Sequence, residues 1–194
     1  RLMIRLAVVG DIGSGKSHVA KLFGYPVFNA DKEVAILYRK SKKCYCKLKK
    51  IFPNYITSFP IKKIELSKAI IANRQNLKKI VKIVHPEIRY KMNSFIKKNR
   101  NIKFIVLDIP LLIENKINKK NDILVFVDAK KKDIYRKLKK RNKTSIRIVK
   151  KLKKIQLPIE RKKKKADFII KNDFRNNSTK KNVKRLKEKI LLNA

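Results

Sequence analysis

Ala7-Val8-Val9-Gly10-Asp11-Ile12-Gly13-Ser14-Gly15-Lys16-Ser17 constrains the fold of this chain more than any other stretch, because an apolar run leads directly into Gly-x4-Gly-Lys-Ser. Glycines at that spacing let successive backbone N–H groups curl around phosphate oxygens, and a following helix points its positive N-terminal end at the same anion. Leu6 to Val9 reads as the strand before the loop, and His18-Val19-Ala20-Lys21-Leu22-Phe23 as the helix after it. A chance glycine-rich turn would lack these two flanks. The pattern predicts a nucleoside triphosphate site made of Asp11, Ile12, Gly13, Ser14, Gly15, Lys16 and Ser17. Lys16 would reach the β- and γ-phosphates, and Ser17 would offer its hydroxyl to Mg2+, a hard ion that prefers oxygen ligands. Asp11 is the discordant residue. A carboxylate in a loop built for anions must point away from the phosphates or weaken their binding.

With 194 residues, 43% of them hydrophobic, the chain is long enough for one globular unit with a sizeable core. No apolar run approaches the roughly 18 residues of a membrane span. The opening Arg1-Leu2-Met3-Ile4-Arg5 flows into the first strand without a signal-peptide pattern, so a soluble, cytoplasmic protein is expected. The two cysteines, Cys44 and Cys46, stand too close for an unstrained disulfide, and no second Cys or His cluster completes a zinc site; free thiols are expected.

The net charge of +41, from 55 Lys and Arg against 14 acidic residues, would by itself point to nucleic acid or an anionic surface. However, the lysines are spread from Lys21 to Lys189 among abundant Ile and Asn, as drift toward A/T-rich codons produces. Aromatic residues do not interleave with the basic runs as a base-stacking platform requires. Specific nucleic-acid binding is therefore not expected, whereas nonspecific binding of polyanions at low salt follows from the charge.

Phe104-Ile105-Val106-Leu107-Asp108 and Ile123-Leu124-Val125-Phe126-Val127 are short continuous apolar runs, the pattern of strands buried in a parallel sheet. Pro26-Val27-Phe28-Asn29 and Phe168-Ile169-Ile170 are weaker examples. Helical patterns lie between them, so the expected architecture is a doubly wound α/β fold with a parallel sheet of about five strands. Ligands in such sheets bind at the carboxyl ends of the strands, near which Gly10, Asp31 and Asp108 all fall. No strand is evident over 32–101, where Pro53 and Pro60 punctuate helical segments; a second substrate could be held there. Val183, Leu186 and Ile190 line one face of a closing helix.

Further motifs follow in one order: Asn29-Ala30-Asp31, His85-Pro86-Glu87-Ile88-Arg89, Asp108-Ile109-Pro110-Leu111-Leu112-Ile113-Glu114, Arg141, Gln156, and Ala166-Asp167-Phe168-Ile169-Ile170-Lys171-Asn172. From Val8 to Asn172 this series resembles the dephospho-CoA kinase family. The resemblance implies a P-loop NTPase core (1–31, 102–130 and 166–194), a helical CoA-side insertion (about 32–101) and a helical lid (about 131–165). It also implies ATP as phosphoryl donor, Mg2+, and dephospho-CoA as a small-molecule substrate phosphorylated on its ribose 3′-hydroxyl. A monomer or weak oligomer without a membrane partner is expected.

Asp31 matches the second aspartate of the family's Asp-Ala-Asp and is thereby implied as the catalytic carboxylate, beside Lys16 and Arg141. Such a group would orient a ribose hydroxyl and accept its proton. Aspartate also favours helix N-caps, so the residue alone fits either role. Asn29 replaces the first aspartate of that motif, Lys137 stands where the family has an arginine, and the stretch from Lys16 to Asp31 is a few residues short. His85, Arg89 and Glu114 are implied on the substrate side, with Arg89 able to clamp a phosphate. A helix-start histidine beside proline is the plainer account of His85. Asp108 ends its strand like a Walker B acid and could hold Mg2+ through water. Arg141 matches a lid arginine able to neutralise charge on the transferring group. Gln156 and Asn172 match positions implied for helix packing and adenine-side contacts. Two rival functions remain on the sequence alone: another small-molecule kinase of nucleoside monophosphate or shikimate type, and a basic nucleic-acid-binding ATPase. Asp11 and Asn29 would also fit a weakened enzyme.

Overall fold

The computed structural model describes residues 3–109, 122–141 and 159–193. The chain divides into two compact units, Arg1–Asn29 with Phe95–Ala194, and Ala30–Ser94.

In the first unit the apolar runs become β1 (Ile4–Gly10), β2 (Val27–Asn29), β3 (Phe104–Asp108), β4 (Ile123–Asp128) and β5 (Phe168–Lys171). They form one sheet in the order β2-β3-β1-β4-β5, and every pairing is parallel. A parallel strand covered on both faces has no polar side to present, which is why Leu6 to Val9 and Phe104 to Leu107 are continuously apolar and fully buried. The helices of this unit are α1 (Lys16–Leu22), α6 (Lys131–Arg141), α7 (Ile159–Lys165) and α8 (Asn176–Leu192). One core cluster joins Leu6, Val8, Phe23, Phe104 and Val125 to Val183, Leu186 and Ile190 of α8. Those three helical residues recur at spacings of three and four, and Thr179 extends the same buried face toward the N-terminus.

The second unit is helical: α2 (Ala30–Lys40), α3 (Lys42–Ile51), α4 (Lys63–Ala72) and most of α5 (Arg74–Lys98). Pro53 and Pro60 fall between α3 and α4. That connection is tied by Glu65, whose carboxylate accepts from the backbone N–H of Thr57 (2.8 Å), Ser58 (3.1 Å) and Lys62 (3.0 Å) and from the hydroxyls of Thr57 (2.6 Å) and Ser58 (2.9 Å). Lys91 of α5 pairs with Glu33 of α2 at 2.7 Å. Both cysteines are free; Cys44 is buried and Cys46, two residues on along α3, is exposed. Burial, then the nearby Glu87, pushes the Cys44 thiol up to about 11, so it stays protonated at neutral pH.

Two local expectations change. α2 begins at Ala30, so Asp31 lies in its first turn and is not an N-cap. His85-Pro86 does not open a helix: α5 runs straight through Pro86, giving up one backbone N–H, because residues on both sides bury apolar side chains such as Val84 and Ile88.

Candidate active site

β1 lies between β3 and β4 and ends at Gly10, which delivers the following loop to the carboxyl edge of the sheet. Gly13 (φ 82°) and Gly15 (φ 87°) take the left-handed backbone that side chains disfavour, and Gly15 is the N-cap of α1. Space excludes a side chain as well. A Cβ on Gly13 would stand 3.1 Å from Ile134 of α6, and one on Gly15 would collide with the side-chain nitrogen of Asn172.

Asp11 is buried, and its carboxylate accepts from the N–H of Ile12 at 2.7 Å. The negative charge is thus engaged with an amide of the loop itself. The Asp11 carbonyl closes the turn by accepting from Ser14 N–H at 3.1 Å, and Lys16 Nζ donates to it at 3.4 Å. His18 is exposed.

Ser17, Asn29 and Asp108 come together although 12 and 79 residues separate Asn29 from the other two. Asn29 and Asp108 are register partners on β2 and β3, so both stand at the same level of the carboxyl edge. Asn29 Nδ2 donates to Asp108 Oδ2 at 2.6 Å and to Ser17 Oγ at 3.2 Å. A carboxylate can only accept, so the amide nitrogen is the end of Asn29 that faces it. Asp108 is buried. A serine hydroxyl beside one carboxylate is a donor set that suits Mg2+, which binds few protein oxygens and completes its shell with phosphates and water. Among the described residues there is no group of three or more His, Cys, Asp or Glu that could hold a metal ion.

Of the remaining residues singled out from the sequence, Asp31, His85 and Arg89 belong to the second unit. Asp31 is exposed in α2, two positions beyond the end of β2. Within the second unit it helps raise the phenol of Tyr38, which burial and Cys44 already push well up. His85, Pro86, Arg89, Tyr90 and Asn93 line an open concavity along α5, His85 buried and Arg89 exposed. Arg141 is the last residue of α6. Glu114 and Gln156, and the side chain of Arg141, lie outside the described residues. Asn172 is buried and its side chain meets the phosphate-binding loop, with Nδ2 donating to Ser14 O at 2.8 Å.

Some of this was open to sequence reasoning and was not drawn from it. Thr179, whose hydroxyl donates to Asn172 Oδ1 at 3.0 Å, precedes Val183 by four positions and Leu186 by seven, the spacing of the buried face of α8. The bridge made by Asn29 had only one sign, an amide where the resembling family has an acid.

The parallel sheet with order β2-β3-β1-β4-β5, and a glycine loop turning into a helix after its central strand, define a P-loop kinase fold. Residues 4–178 match the family model described as dephospho-CoA kinase. The chain belongs to the dephospho-CoA kinase family. A dephospho-CoA kinase from Wolbachia pipientis wMel is 37% identical over 129 residues, which cover 64% of this chain and 66%, just under two thirds, of that relative. Among solved structures, dephospho-CoA kinase from Campylobacter jejuni is 27% identical, with a TM-score of 0.63 over 96% of each chain. A Thermus thermophilus crystal structure is 26% identical, with a TM-score of 0.77 over 100% of this chain and 98% of the other. Among the described residues no helix is long and apolar enough to cross a membrane.

Proposed function

We propose that the protein transfers the γ-phosphoryl group of ATP to the ribose 3′-hydroxyl of dephospho-CoA, releasing ADP and coenzyme A. The match of residues 4–178 to the dephospho-CoA kinase family carries this reading, and the left-handed glycines of the loop support it.

In this reading Lys16 and the backbone N–H groups of residues 13–17 bind the phosphates. The Ser17 hydroxyl and, through water, Asp108 would hold Mg2+, which would supply charge neutralisation to the phosphates. Asp31 accepts the proton of the 3′-hydroxyl as its oxygen bonds to the γ-phosphorus and the bond from that phosphorus to the ADP oxygen breaks. Arg141 offsets charge on the group in flight, and Glu114 accepts hydrogen bonds from the substrate or orients that arginine. His85 and Arg89 take the acceptor, Arg89 by a two-pronged grip on a phosphate. Residues of about 32–101 serve as the acceptor side and those of about 131–165 as a lid. The protein works in the cytoplasm as a monomer or weak oligomer, with no specific nucleic-acid or membrane partner.

Incubation with ATP, Mg2+ and dephospho-CoA should yield coenzyme A and ADP in equal amounts. Absence of coenzyme A under conditions that sustain a control kinase would sink the reading. A parallel panel with nucleoside monophosphates and shikimate as acceptors, and with DNA or RNA as stimulants of ATP hydrolysis, separates the rival functions.

A further inference from the structure

We propose that Asn172 is a positioning residue for the phosphates: it shapes the loop through the Ser14 carbonyl and does not touch the nucleotide base. The inference rests on the nucleotide-binding role proposed above.

Asn172 leaves β5 at the carboxyl edge and is 3% exposed, so its side chain faces protein on all sides. Two donors identify its amide oxygen: Thr179 Oγ1 at 3.0 Å and the N–H of Phe174 at 3.0 Å. The nitrogen is thereby turned to Ser14 O, 2.8 Å away and 158 residues earlier in the chain. The backbone of Asn172 is pinned too, its N–H donating at 2.7 Å to the carbonyl of Asp128 at the end of β4. Asp128 in turn receives Lys163 of α7 on its carboxylate at 2.8 Å.

The consequence for the loop follows from peptide geometry. The Ser14 carbonyl and the Gly15 N–H belong to one planar unit and point in opposite directions. Holding the carbonyl against Asn172 therefore aims the Gly15 N–H to the other side of the loop, where phosphate oxygens are cradled. A Cβ on Gly15 would strike the Asn172 nitrogen and lie 3.3 Å from the Phe174 ring, so the turn after β5 forms a close-fitting floor under that peptide. Free to rotate, the peptide could present its carbonyl to the phosphates instead.

Titration calorimetry of the whole protein with Mg-ATP and with magnesium tripolyphosphate, which has the phosphates and no base, tests the assignment. Asn172→Ala should weaken both by about tenfold or more and to a similar extent, the scale of a lost buried hydrogen bond with its attendant loss of order. Thr179→Val, which removes one of the two donors to the Asn172 amide oxygen without adding charge or changing volume much, should weaken both by roughly threefold and serves if Asn172→Ala does not fold. A loss confined to ATP would make Asn172 a base contact and overturn the proposal. Unchanged affinities with a lowered Tm would overturn it as well, leaving only a packing role. Failure of the unaltered protein to bind either probe would instead overturn the nucleotide reading itself, before any variant is compared.

Discussion

Asn29 Nδ2 stands 2.6 Å from a carboxylate oxygen of Asp108, and the same nitrogen reaches the Ser17 hydroxyl at 3.2 Å. An amide thus joins the Ser17 hydroxyl to the carboxylate proposed to hold Mg2+ through water, and it brings no charge of its own. An acid in its place would face Asp108 across the same short distance without a proton to share.

Asn29→Asp should therefore lose stability when divalent cations are absent, because two carboxylates in contact repel. With a cost of about 2 kcal/mol, Tm should fall by roughly 4–8 °C in a chain of this size. Millimolar Mg2+ or Mn2+ should recover most of that fall, while the unaltered protein should respond weakly. Thermal melts with and without the ion check both statements; equal sensitivity in the two proteins would refute them.

Asp31→Asn should depress kcat by about 10²–10⁴-fold, the usual contribution of a positioned general base. Asp31 is exposed in the first turn of α2, so the exchange should leave Tm and ATP affinity almost unchanged. Steady-state kinetics beside ATP titration will show it, and full activity in the variant would remove Asp31 from the mechanism.

Glu65 links stability to pH. Burial would raise its pKa, but the hydrogen bonds from Thr57, Lys62 and Ser58 outweigh that cost and hold it near 2, below its ordinary 4.5. A depressed carboxyl stabilises the fold fully above its unfolded value, and the benefit fades as pH falls from about 4.5 toward 2. Glu65→Ala removes the acceptor of five hydrogen bonds from Thr57, Ser58 and Lys62 and should cost about 3 kcal/mol at pH 7. Urea midpoints of the two proteins should converge as the pH is lowered through that window. A gap independent of pH would mean that the ionised form is not what the loop binds.

A net charge of +41 predicts that the protein is retained by heparin or duplex DNA of any sequence at low salt. Retention should fall steeply between roughly 50 and 200 mM salt, with no preference among sequences, as for binding driven by counterion release. A sequence preference that persists at high salt would show a dedicated nucleic-acid site.

Much of the fold was legible in short windows of sequence. Leu6 to Val9 of β1 and Phe104 to Leu107 of β3 are continuous apolar runs because they are buried on both faces, whereas the edge strands β2 and β5 are shorter and partly exposed. The loop after β1 is legible because its glycines are demanded locally, by backbone angles at Gly13 and Gly15. Helix boundaries were less so: neither the early start of α2 at Ala30 nor the passage of α5 through Pro86 is settled by the residues nearby. Packing further along each helix outweighs the local preference there.

What the sequence determined by itself is the chemistry on offer: a phosphate-binding loop, a lysine and serine at its end, and acids at the ends of strands. Which of these groups meet was decided by tertiary structure. Strand order and register set Asn29 level with Asp108, across 79 residues, and the return of β5 to the sheet brings Asn172 under Ser14, across 158. Contacts of that separation leave no local period or propensity in the chain, because they depend on the register of strands that pair only once the sheet has formed.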